Sequence, residues 1–141
     1  MIYTKQQAII LESRLQSLLD AIYKNKNTVK LFEKNLDEDE FEFFTHLNNI
    51  KNIETLSKKD LQVAIKKTID HIRSLPTITF EISFEPTLEF IVKLYEKVRE
   101  SYKSPFFLRF NVNKNLFSGA KIEFMGKLFE ENLLLKKYSN E

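Results

Sequence analysis

The chain has 141 residues, of which 43% are hydrophobic and 30% charged, enough for one ordinary core and too short for a large multidomain enzyme. Its 22 basic and 20 acidic residues leave a formal charge of +2, too near balance to imply a polyanion partner, because nucleic-acid binders usually concentrate Lys and Arg on one face. The absence of cysteine excludes disulfides, thiol catalysis and thiolate metal sites together.

From Thr4 to about Tyr23, Ala8, Leu11, Leu15, Leu18 and Ile22 recur with helical spacing and form the seam of an amphipathic helix that Thr4 is expected to cap. Lys24 to Thr28 carries no apolar residue and reads as a connector, after which Val29, Leu31, Phe32 and Leu36 predict a short second helix. The acidic run Asp37-Glu38-Asp39-Glu40 suits the positive dipole end of a third helix, with Phe41, Phe44 and Leu47 as its apolar stripe and an end near Asn49. Ser57 and Asp60 resemble a capping box for a fourth helix built on Leu61, Ile65, Ile69 and Ile72 and stopped by Leu75-Pro76. The period then drops to two. Thr77 to Phe84 alternates polar and apolar residues and predicts a strand with one buried face. Pro86 and Thr87 open a helix from about Leu88 to Tyr102, with Phe90, Ile91, Leu94, Tyr95 and Val98 facing inward. Phe106 to Val112 and Ala120 to Phe124 predict two more strands, the last leading into a Gly126-Lys127 turn, and Asn132 could cap a final helical turn over Leu133 to Tyr138.

The expected fold is therefore α+β in two parts: a reduced N-terminal bundle of about four helices over residues 1–75, and a β-α-β-β module with a short C-terminal helix over 76–141. No stretch reaches the roughly 18 apolar residues of a membrane span, and the N-terminus lacks the pattern of a cleaved leader, so membrane association is expected only through another protein. His46 and His71 fall on different helices without ligand-spaced partners, which favours structural or solvent-facing roles. The acidic run lacks the spaced ligands and glycine of a calcium loop and reads as a helix start with a solvated face. Gly119 and Gly126 stand too far apart for a phosphate loop. Alternation puts Phe106, Leu108 and Phe110 on one buried face and Phe107 and Arg109 opposite, the arrangement a small RNA-binding sheet would need reversed.

The segment Asn113-Lys114-Asn115-Leu116-Phe117-Ser118-Gly119-Ala120-Lys121-Ile122-Glu123-Phe124, followed by Met125-Gly126-Lys127, resembles the C-terminal signature of ATP synthase δ subunits, the oligomycin-sensitivity-conferring protein family. There an Asp-Pro-x-Leu-Ile-Gly-Gly segment leads into a strand and a Gly-containing turn. Asn113 and Lys114 stand at the Asp-Pro, Leu116 and Phe117 at the apolar pair, Ser118 at the first Gly and Gly119 at the second. The resemblance covers about residues 78–138. It marks Leu116, Phe117, Gly119, Ile122 and Gly126 as signature residues and implies a non-enzymatic subunit without cofactor in the peripheral stalk (stator) of an F-type ATPase. Its implied partners are the N-terminal helix of an α subunit at the bundle and the C-terminal region of a stalk b subunit at the C-terminal module. Ala8, Leu11, Leu15, Leu18 and Ile22 would then help receive the partner helix. The implied location is cytoplasmic and peripheral to the membrane through the ATP synthesis and proton transport complex, with no nucleic acid expected. A small RNA-binding module and an enzyme with an undisplayed site are the alternatives.

Overall fold

The computed structural model describes the backbone of residues 1–115, 120–124 and 127–131, and side chains over 1–115. It mixes helix and strand, and its chain divides into two compact units, one of residues 1–2 and 6–74, the other of residues 3–5 and 75–141.

In the first unit, α1 (Lys5–Ala21), α2 (Thr28–Asn35), α3 (Glu38–Leu47) and α4 (Lys58–Ser74) are joined by short connectors, the last containing a 3-10 turn at Ile53–Thr55. Each boundary has a local cause. Asn27 caps α2 by accepting from the Lys30 amide at 3.1 Å. Asp37 opens α3 with a capping box: it accepts from the Glu40 amide at 2.8 Å, while the Glu40 carboxylate accepts from the Asp37 amide at 3.0 Å. The end of α3 is set by Asn49, whose φ of 53° is left-handed. With it come the Ile50-to-Thr45 and Asn49-to-His46 backbone bonds at 2.9 and 3.3 Å, a Schellman arrangement that closes the helix two residues before the expected Asn49. At α4, Ser57 accepts from the Asp60 amide at 3.1 Å.

Ala8, Leu11, Leu15, Leu18 and Ile22 are each 0% exposed, as are Phe32, Phe44, Leu61 and Ile65. Polar groups inside this unit are matched. Thr68, fully buried, donates to the Ala64 carbonyl at 2.8 Å and accepts from Asn48 Nδ2 at 2.8 Å, tying the end of α3 to α4. Glu40 overturns the expectation that the acidic run is a solvated face. Asp37, Glu38 and Asp39 are exposed, but Glu40 is 3% exposed and accepts from the Arg14 guanidinium of α1. The capping box turns this one carboxylate inward, where Arg14 meets it.

The second unit holds β1 (Thr77–Ile82), α5 (Leu88–Ser101), β2 (Phe107–Val112), β3 (Ala120–Phe124) and β4 (Lys127–Glu131). The sheet order is β2-β1-β3-β4, with β1 and β2 parallel and the other pairs antiparallel. Parallel neighbours require a crossover, which α5 supplies after Thr87 caps it by accepting from the Phe90 amide at 3.1 Å. Ile78, Phe80 and Ile82 on β1 pack with Phe90, Leu94 and Tyr95 on α5 and with Phe106 and Leu108. Aromatic rings dominate this core: Tyr95 stacks on Phe106 at 4.6 Å, meets Tyr3 edge-on at 5.1 Å, and Phe80 stacks on Phe110 at 5.9 Å.

Three expectations change here. The first strand ends at Ile82, not Phe84. The segment after Met125-Gly126 is a fourth strand, β4, paired along its length with β3, where only a turn was expected. Phe107, expected opposite the buried face and open to solvent, is 1% exposed with Lys5 Nζ 5.8 Å above its ring. Alternation identifies the faces of a strand without saying what covers them. Here residues 3–5 run beside β2, with Thr4 bridged to Leu108 and the Leu108 amide donating to the Tyr3 carbonyl at 2.9 Å. The final helical turn expected over Leu133 to Tyr138 lies outside the described residues.

Replacing Phe80 by Ala should destabilise the protein by about 3–5 kcal/mol in urea unfolding, whereas Val63→Ala, on an exposed face of α4, should change it by less than about 0.5 kcal/mol. Glu40→Ala should cost about 1–3 kcal/mol because it removes a cap partner together with the hydrogen bond from Arg14. In a double-mutant cycle its effect should be non-additive with Arg14→Ala; additivity would show that the pair is not coupled.

Candidate partner-binding surfaces

Among the described residues, no group of three or more His, Cys, Asp or Glu side chains is placed to hold a metal ion, and no helix is long and apolar enough to cross a membrane. Each residue singled out in the sequence can be placed against the surfaces that the described residues form.

The α1 seam is interior. With Ala8, Leu11, Leu15, Leu18 and Ile22 all at 0% exposure, none offers surface to a docking helix unless the unit opens. The large apolar residues of α1 that are exposed are Ile9 and Ile10, at 51% and 43%, with Leu19 partly exposed. Their signal is present in the sequence as two isoleucines off the seam, between the seam residues Ala8 and Leu11. An exposed pair of this kind is ordinary by itself.

The signature residues Leu116, Phe117, Gly119 and Gly126 lie outside the described residues. Ile122 is on β3, opposite Phe80 of β1 and Phe129 of β4. The first signature position is well defined. The Asn113 amide donates to the Ile82 carbonyl at 2.7 Å, its side-chain amide donates to Glu81 at 2.7 Å, and its side-chain oxygen accepts from the Asn115 amide at 3.0 Å. Asn113 therefore fastens the exit of β2 to the end of β1 and turns the chain there, the local bond to a backbone amide two residues on that Asn and Asp share.

Beside it, β2 presents exposed Arg109 and Asn111 with no exposed aromatic residue, since Phe107 is buried. A single-strand stacking platform uses such a ring, and no described residue of β2 supplies an exposed one.

A groove of about 470 Å³ lies in the first unit among α2, the start of α3 and the 3-10 turn. Val29, Phe32, Leu36, Phe41 and Ile53 give it an apolar floor, and Glu33, Asp37, Glu38 and Glu54 stand at its edge with Lys51. Asp37 and Glu38 belong to the acidic run that the sequence already displays; the other lining residues have no linear pattern, because the groove joins three elements.

The two histidines are on separate helices. His71 on α4 is partly buried, its ring 6.4 Å from that of Phe43. Desolvation by this burial, and then the nearby Lys67 charge, lower its pKa from the ordinary value. His46 is exposed.

No protein-family model matches this chain, and no curated protein matches it.

A histidine whose folded pKa is depressed favours the neutral ring in the native state. Its contribution is thus fully present above the unfolded pKa of about 6.5 and is lost as pH falls through the lower folded value. Thermal unfolding should show a larger drop in Tm between about pH 7.5 and pH 5 for the native chain than for His71→Gln. Equal drops would remove His71 from that dependence.

Proposed function

We propose that this chain is a non-catalytic stator subunit of an F-type rotary ATP synthase, linking the catalytic head to the stalk b subunit by protein-protein binding. The observation that carries the reading is the segment from Asn113 to Phe124, read together with its place in the chain. The family signature follows an alternating strand, a helix and a second strand, and leads into a further strand and a Gly-containing turn. Here β1, α5 and β2 precede Asn113, β3 begins at Ala120, and Gly126 is one of two residues separating β3 from β4. The hydrogen-bonded turn at Asn113 supports its equivalence to the family's Asp.

Such a protein works by affinity alone. Two partners, each held at a separate unit, convert the second attachment into an intramolecular event with an effective concentration on the order of 1 mM for short linkers. The head partner would be the N-terminal helix of the α subunit, at the helical unit, and the C-terminal region of the stalk b subunit would meet the β-containing unit. Because the α1 seam is interior, the head partner would have to use exposed positions such as Ile9 and Ile10. The reading requires no cofactor, and it places the chain at a membrane only through the complex.

Calorimetric titration of the full chain with two peptides of the same organism, one from the C-terminus of its b subunit and one from the N-terminus of its α subunit, tests this. Binding of at least one with a negative heat-capacity change is expected, as apolar surface is buried. Failure of both peptides to bind would sink the proposal.

A further inference from the structure

We propose that the groove among α2, α3 and the 3-10 turn docks a basic amphipathic helix of a separate polypeptide. Its volume of about 470 Å³ falls within the roughly 300–1,000 Å³ typical of binding pockets, with room for a few large apolar side chains. Phe32, Leu36 and Ile53 are buried at its base, and Val29 and Phe41 are half-buried, so an incoming apolar side chain would displace water from a carbon-lined floor.

Charge decides what else the occupant must carry. Four carboxylates against one lysine ring the groove, on a chain whose formal charge is +2. They come from three elements: Glu33 from α2, Asp37 and Glu38 from the start of α3, and Glu54 from the 3-10 turn. Asp37 is partly met by Arg14 at 3.7 Å, whereas Glu33, Glu38 and Glu54 form no ion pair with a described residue. All four are exposed, so they steer and select a partner without the desolvation cost of a buried carboxylate. Lys and Arg flanking an apolar stripe satisfy both features. Phosphate-rich partners are repelled.

The walls decide the occupant's backbone. They are two helices, a 3-10 turn and the connector residues Lys51 and Asn52, with no β-strand among them, so no strand edge is available for an extended peptide to pair with. Recognition must run through side chains, the mode in which a helix lays anchors at every third or fourth position into a groove. This surface does not depend on the stator reading, and each can fail alone.

The test titrates the isotope-labelled full chain with a designed helix of about 14 residues, roughly four turns, carrying Leu along one stripe and Lys elsewhere, and with its Leu/Glu counterpart. Saturable amide shifts are expected at Val29, Phe41 and Ile53, with the Leu/Glu peptide at least about tenfold weaker. Glu33→Lys combined with Glu54→Lys should weaken the Leu/Lys peptide about tenfold and strengthen the Leu/Glu peptide, with thermal unfolding unchanged because both positions are exposed. Should that variant misfold, Glu38→Gln with Glu54→Gln gives the same direction more weakly. Shifts that map outside the groove, equal affinity for the two peptides, or indifference to the rim substitutions would each overturn the proposal.

Discussion

A carboxylate removed from water must be met by donors, and in the helical unit that demand falls on Glu40. Its oxygen accepts from the Asp37 amide at the mouth of α3 and from Arg14 on α1. The first bond fixes where α3 begins. The second fixes which side of α3 turns toward α1, since Arg14 can reach only one. Once both hold, Phe44 points to the interior beside Phe32 at 5.4 Å, while Phe41 remains half-buried at the edge of the groove. A single satisfied charge thus sets the face that α3 keeps inside and the one it leaves beside α2 and the 3-10 turn.

The second unit solves a different problem. Without disulfides, and with few described polar groups inside, it depends on shape. Tyr95 shows how. It sits between Phe106 and Tyr3, and burial pushes its hydroxyl pKa up from the ordinary value, with Arg99 opposing and Tyr3 adding to the shift. Tyr3 comes from the start of the chain, yet it packs here and its carbonyl receives the Leu108 amide. Residues 3–5 therefore cover an edge of β2 that would otherwise present unpaired backbone groups, a recognised hazard for exposed strands. The unit is completed by residues from both ends of the sequence.

How much of this is legible in the sequence depends on the range of each interaction. Helices α1 to α5 and strands β1 to β3 follow from local periods, and caps such as Thr87 follow from a single residue. What escapes such a reading is set at a distance. The burial of Glu40 needs Arg14, 26 positions away, and that of Phe107 goes with residues near the N-terminus lying alongside its strand. Strand β4 escapes because Lys127–Glu131 does not alternate cleanly; its identity comes from pairing with β3. The α1 seam is visible as an apolar stripe, but a stripe does not distinguish interior from docking surface. Only its 0% exposure does. The groove is illegible for the same reason, as its residues meet only after three elements have packed.

Net charge illustrates the same lesson at the level of function. A formal value of +2 discourages an electrostatic partner when read as one number. Resolved along the fold, it is a sum of separated regions: exposed Lys59, Lys66 and Lys67 on α4, and the carboxylates around the groove. Fields beyond roughly 8–10 Å are screened in physiological salt, so a partner entering the groove senses the charges at its rim more than the formal sum over the chain. Under the docking proposal, the local charge and the apolar floor it surrounds, rather than the net charge, set what the groove accepts.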